Sequence, residues 1–297
     1  MRPAAPSCSG RAERSRLAPM RIVTYRNGSE DRAGILAEGG VRDAAGLLGA
    51  DGLSVRELLA SGRLAELEGA GGGEEIPLDE VELRPPVPDP DKIVCIGLNY
   101  RSHAEEAGIA PPQVPTIFAK FRNALAAPGA EVALPASSEK VDYEAEIAFV
   151  IGRRTKDASR KDALGAIAGY MLLNDLSARD LQFATPQWMP GKVFDGSAPC
   201  GPALVTPEEA GAHDAIAFNL ELNGERMQDA TTADLIFSVP ELVSHLSRWM
   251  TLEPGDIVAT GTPSGVGSVR EPRVWLQPGD EVVIGSPTLG ELRTRLG

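Results

Sequence analysis

Short apolar runs cut off by glycine and proline constrain this chain more than any other feature. Thirty-two glycines and 24 prolines are spread over 297 residues. Such punctuation ends elements early and favours strands joined by turns over long packed helices. KIVCIGLNY, VDYEAEIAFVIG, IAGYMLLND, DIVATGT, RVWLQPGDEVVIG and GELRTRL read as strands, and FNLELNGERM as a hairpin turning at Asn223-Gly224. Two helices carry start signals. SVRELLASG has Ser54 and Glu57 spaced as a capping box, and SVPELVSHLSRWM opens with Ser238, Pro240 and Glu241. There is no internal repeat and no β-α-β alternation, so the fold class is α+β and strand-rich.

The chain divides by composition. Residues 1–19 are rich in arginine, proline and small residues and lack the apolar core of a secretory signal. They are expected to be a disordered extension, the alternative being that Met20 is the natural start. Residues 20–75 read as a small α+β unit ending in the flexible stretch GAGGGEE. Residues 76–91 read as a linker, because RPPVPDPDK is held extended by its prolines. The main domain is expected at 92–297.

Lys and Arg total 29 against 42 Asp and Glu, a net charge of −13. That balance argues against nucleic acid or an acidic membrane as partner, since nothing offsets the repulsion from phosphates. No apolar stretch approaches the 18 residues of a membrane span. The cysteines, Cys8, Cys95 and Cys200, form neither a disulfide framework nor a metal-binding pair. This usage points to a reducing cytoplasm.

Residues i and i+2 of a strand share a face. VDYEAEIAFVIG therefore sets Glu144 and Glu146 with Ala148 and Val150, opposite Tyr143, Ala145, Ile147 and Phe149. An isolated Glu-X-Glu is commonly a solvated strand end. Asp175 changes the weighing, because it closes the apolar run IAGYMLLN. Three carboxylates from two strand ends would make an all-oxygen site for Mg2+, Mn2+ or Ca2+. His103 and Glu106 lie at i, i+3, on one face of a helical turn, so the carboxylate can orient the imidazole as a general base. By itself such a pair is more often an exposed surface feature. Lys192 could stabilise developing negative charge near a metal, although a lone lysine is usually on the surface. Asp180 could pair with Arg179 or Arg153. VATGTPSGVG offers Thr262, Ser264 and free backbone N–H groups but matches neither a P-loop nor a dinucleotide fingerprint. No GxSxG is present, and neither Cys95 nor Cys200 has a histidine nearby in sequence.

Taken together, GLNYRSHAEE, DYEAEIAFVIG, GYMLLNDLSARDLQ, GKVFDGSAPCGPAL, LNGERMQDATTADLIF and GDIVATGTPSGVG resemble the fumarylacetoacetate hydrolase family, in its order, over about residues 92–297. The resemblance implies a mixed β-roll or sandwich, with residues from Met20 similar to the accessory domain of longer bacterial members. It implies Mg2+ on Glu144, Glu146 and Asp175, a water-activating pair at His103 and Glu106 on a lid, and an active-site lysine at Lys192. It places Lys120, Gln182, Gly261 and Thr262 toward substrate, and it implies a homodimer. The substrate class implied is a small 2-oxo or 2,4-dioxo acid. The leading expectation is hydrolysis of a C–C bond in an acylpyruvate or fumarylpyruvate, with the metal and Lys192 stabilising an enolate. Oxaloacetate decarboxylation and keto–enol or double-bond isomerisation of a related acid are the alternatives.

Overall fold

The computed structural model describes residues 20–67, 70 and 72–297. The expected disordered extension at 1–19 and part of the glycine-rich break lie outside the described residues. A 12-stranded mixed sheet forms the backbone of the molecule. Its central strands are Arg21–Asn27, Ala198–Val205, Ile167–Asn174, Ala145–Ile151, Ile257–Ala259, Ile93–Gly97 and Thr116–Lys120, in that spatial order. A five-stranded sheet built on Ala217–Leu222, Glu225–Thr231, Glu281–Ser286 and Gly290–Leu296 packs against it, with Glu131–Val132 at its edge. The fold is thus strand-rich α+β, as the punctuation of the sequence requires.

The strand Ala145–Ile151 is buried along its whole length. Ala145, Ile147, Phe149 and Ile151 enter the core against Phe218, Leu220, Val282 and Leu292 of the second sheet. Ala148 and Val150 enter another apolar cluster with Leu58, Leu59 and Met171. A strand covered on both faces must be apolar on both. Each fully buried Phe or Ile contributes about 1.5–3 kcal/mol. A carboxylate can therefore sit only where the strand meets the cavity, which is where Glu144 and Glu146 lie.

The N-terminal unit joins the same sheet. Arg21 and Ile22 register with Val205 and Leu204, while Glu30–Leu36 and Glu82–Arg84 flank the Arg21–Asn27 strand on its other pairings. The expected linker at 76–91 is packed rather than free. Val87 is buried and the Pro86 carbonyl accepts the Thr24 hydroxyl at 2.8 Å. The helix Val55–Ser61 carries the expected capping box between Ser54 and Glu57. Helix Val239–Ser247 is capped at Ser238 by Glu241, and Val239, Leu242, Val243 and Leu246 enter the core. Asn223 and Gly224 turn the hairpin with φ of 52° and 83°. One expectation fails locally: Arg273–Gln277 forms no strand, only Glu281–Ser286 does. The Val274 and Leu276 N–H groups are taken by the carbonyls of Gly267 and Val141, so the segment is stitched across the cavity rim rather than into a ladder.

Candidate metal centre and cavity

Antiparallel pairing brings the three carboxylates together. Ala145 registers with Asn174, so the start of one strand meets the end of its neighbour. The Asp175 N–H donates to the Glu144 carbonyl at 2.9 Å, and the Glu144 N–H to the Asn174 side chain at 3.2 Å. One carboxylate oxygen each from Glu144, Glu146 and Asp175 lies within 4.8 Å of the others, and all three residues are buried.

Cations surround this group. Lys192 Nζ donates to Glu144 Oε2 at 2.8 Å and Asp175 Oδ2 at 2.7 Å, and stands 5.0 Å from the Phe118 ring centroid. Lys120 Nζ is 2.9 Å from Asp175 Oδ1 and donates to Ser197 and the Lys192 carbonyl. Arg179, at the start of the turn Arg179–Gln182, donates to Glu144 Oε1 and to Asp142 Oδ2, both near 2.8 Å. Burial alone would favour the neutral amine of Lys192, but Asp175 and Glu144 outweigh it and hold the ammonium. Burial likewise opposes ionisation of Glu144, yet Lys192 and Arg179 prevail and bring it down to about 2. Glu146 is the exception. Burial and the charges of Asp175 and Glu144 push it well above the usual carboxylate range, and its oxygen receives only the Gly261 N–H at 2.9 Å.

Among the described residues, Asp142, Glu144, Glu146 and Asp175 thus pair with three side-chain cations, leaving one of these four carboxylates without an ion-pair partner. Such a group is costly unless a further cation arrives. The donor set is all oxygen, which fits a hard divalent ion.

A cavity of about 540 Å³ opens over these residues, lined by Glu144, Glu146, Gln182, Lys192 and Thr262. Phe118 and Trp188 form an apolar wall, packed edge to face at 5.7 Å. His103 lines the same cavity from helix Arg101–Glu106. Asn99 fixes the entry to that helix, donating to the Thr260 and Phe237 carbonyls. His103 Nδ1 lies 3.2 Å from Glu106 Oε2, and Glu106 Oε1 accepts the Gly265 N–H at 2.9 Å. The Gly265 carbonyl accepts the Tyr143 hydroxyl and Arg270 Nε. One glutamate therefore orients the imidazole and latches its helix to the loop after Ala259.

The matching domain settles the family. Residues 92–297 match "Fumarylacetoacetate (FAA) hydrolase C-terminal". The chain belongs to the fumarylacetoacetate hydrolase family. It is 45% identical over 228 residues to the fumarylacetoacetate hydrolase domain-containing protein 2 homolog of Dictyostelium discoideum, covering 73% of this chain and 74% of that one. It is 42% identical over 217 residues to the oxaloacetate tautomerase FAHD2B, mitochondrial, of Bos taurus, covering 72% and 69%. The crystal structure of maleylpyruvate hydrolase from Sphingobium sp. SYK-6 aligns with a TM-score of 0.78 at 30% identity, covering 94% of this chain and 100% of that one. Its relatives in the family are enzymes, hydrolases and tautomerases among them.

Glu144, Glu146, His103, Lys192, Gln182 and Thr262 line one cavity, while Asp175 meets Lys192 and Glu106 meets His103 behind that lining. Two residues expected toward substrate meet carboxylates of the site itself. Lys120 is buried under Asp175, and the Gly261 N–H is spent on Glu146. Asp180 pairs with neither arginine; it accepts the Ser138 hydroxyl and the Glu139 N–H. Cys95 lies nearby, but burial, with Asp175 and Glu146, pushes its thiol far up, away from nucleophile duty. Sequence reasoning missed Asp142 and the role of Arg179. Both lie within two to four residues of predicted ligands, which was the only local signal. Among the described residues, no helix is long and apolar enough to cross a membrane.

Proposed function

We propose that the protein catalyses keto–enol tautomerisation of a small 2-oxo acid of the oxaloacetate kind, with Mg2+ on Glu144, Glu146 and Asp175. The observation that carries this reading is the His103–Glu106 pair, fixed at the cavity that the carboxylates floor. A carboxylate only accepts, so the shared proton lies on Nδ1, and in the neutral ring Nε2 presents a lone pair. Nε2 can take a proton from the carbon beside a keto group and return it to the oxygen. The Lys192 ammonium lowers the cost of negative charge on that oxygen. A bound divalent cation would add positive charge at the keto and carboxylate oxygens. Gln182 and Thr262 line the space where those oxygens would lie, and the Phe118–Trp188 wall limits water. The likeness to the bovine tautomerase over two-thirds of both chains supports this choice of reaction.

A second reading is hydrolysis of a C–C bond in a 2,4-dioxo acid. The same imidazole could activate water, and the likeness to maleylpyruvate hydrolase favours it. The purified protein with Mg2+ distinguishes them. Faster decay of the oxaloacetate enol absorbance, lost with EDTA and in His103→Ala, supports tautomerisation. Pyruvate release from an acylpyruvate, without enol turnover, establishes hydrolysis instead, and inactivity on both acids sinks both readings. We also propose a cytoplasmic homodimer. Unpaired Cys95 and Cys200 support the compartment, and the exposed Phe121 and Phe183 support association, checked by light scattering.

A further inference from the structure

Gln228 is a buried amide on strand Glu225–Thr231, reaching from the second sheet to the cavity floor. Its Oε1 accepts the Ala145 N–H at 2.9 Å, between the two glutamates of the candidate metal site. Its Nε2 donates to Thr262 Oγ1 at 2.9 Å and to the Pro263 carbonyl at 3.0 Å. An amide can in general be placed either way round. Here its surroundings decide, because a backbone N–H can only donate and a backbone carbonyl can only accept. The nitrogen must face Pro263, and so it faces Thr262.

This orientation dictates what Thr262 can do. Its oxygen accepts a hydrogen bond from Gln228, so its own proton must point elsewhere. Among the described residues that proton has no acceptor, and Thr262 lines the cavity. Thr260, two residues earlier, contrasts: its hydroxyl is spent on the Ile147 carbonyl at 2.8 Å. We propose that Gln228 is a positioning residue that makes Thr262 a dedicated hydrogen-bond donor to a carboxylate oxygen of the substrate. The assignment rests on the 2-oxo acid reading, since it supplies the anionic acceptor. In a cavity floored by carboxylates, a neutral donor of fixed polarity favours an anion without adding charge that would compete with a metal. It also rejects a ligand that presents a donor at that point, which would meet a second donor.

The test separates this inference from the reaction assigned above. Oxalate presents the adjacent oxygens of a 2-oxo acid and binds without turnover, so its affinity is read by calorimetry in Mg2+, beside KM and kcat for oxaloacetate. Gln228→Glu keeps the acceptor for Ala145 but replaces the donor with an acceptor, which draws the Thr262 proton away from the cavity. It should weaken oxalate about ten- to a hundredfold, the range for a hydrogen bond to a charged group. KM should rise with kcat within about twofold, as for lost uniform binding. Thr262→Val should weaken oxalate similarly and Thr262→Ser should restore it. Adding Gln228→Glu to Thr262→Val should then cost nothing further, because the effect passes through the hydroxyl. Should Gln228→Glu not fold, Gln228→Met serves as the amide-free partner in the same cycle. Additive losses, or Thr262→Val binding oxalate like the wild type, overturn the proposal. A wild type that binds oxalate but lacks turnover refutes only the tautomerase reading; one that does neither refutes the 2-oxo acid reading itself.

Discussion

Replacing Arg179 with methionine tests the electrostatic reading of the site most directly. The guanidinium gives Asp142 Oδ2 two hydrogen bonds, of 2.9 and 2.8 Å, and reaches Glu144 Oε1 at 2.7 Å and Gln182 Oε1 at 3.0 Å. All these partners are buried. Removing one member of a buried ionic network leaves uncompensated charge and costs about 3–5 kcal/mol. At about 2–4 °C per kcal/mol, melting should fall by about 6–20 °C. The pH dependence has a definite sign. In the wild type Glu144 is depressed to about 2, against burial, by Lys192 and Arg179. A depressed carboxylate contributes stability that is present above its unfolded pKa and lost as pH falls through the folded one. Without Arg179 that depression shrinks, so the variant holds less of the stability that an ionised Glu144 contributes, and the difference vanishes once acid has protonated the group in both proteins. The gap between the two melting curves, measured in EDTA, should be widest above the ordinary carboxylate pKa and narrow only as pH falls from there toward about 2. A gap that is absent at neutrality, or that stays constant with acid, would refute the reasoning.

Other perturbations give separate readouts. Glu146→Gln removes the carboxylate of the buried triad that has no ion-pair partner among the described residues, so melting in EDTA should hold or rise while the Mg2+-induced rise disappears. Because Glu146 is held above the usual range, Mg2+ uptake should release a proton at pH values where an ordinary carboxylate would release none, and should tighten as pH rises; calorimetry in buffers of differing ionisation enthalpy reads this. Gly261→Ala places a Cβ 2.7 Å from the Ile96 carbonyl at a φ of +95°, displacing the N–H that holds Glu146, and should lower Mg2+ affinity about 10–100-fold. Ser238→Ala, at a residue that does not line the cavity, should cost about 1 kcal/mol in thermal melts and leave turnover unchanged.

What could be read from the sequence follows the range of each interaction. Alternation along Ala145–Ile151 placed Glu146 with Ala148 and Val150, because a strand's faces are set by neighbours two residues apart. The His103–Glu106 contact was legible for the same reason at helical spacing. Asp175 was legible as the end of an apolar run. By local pattern the cations were not. A lone Lys192 reads as a surface lysine, and only the family resemblance singles out Lys192 and Lys120; each is buried where the fold brings a carboxylate from far along the chain to its ammonium. Gly261 shows the same limit, since its N–H meets Glu146 across 115 residues. RVWLQ misled in the opposite direction. Its apolar residues satisfied the strand pattern, but its N–H groups found single carbonyls at the cavity rim instead of a neighbouring strand. Local pattern therefore supplies the candidate ligands and the proposed base, which need only a face and a spacing. The balance of charge that makes those ligands usable depends on contacts that exist only once both sheets have closed, and Arg179, joining Asp142 to Glu144, is where substitution would expose that dependence first.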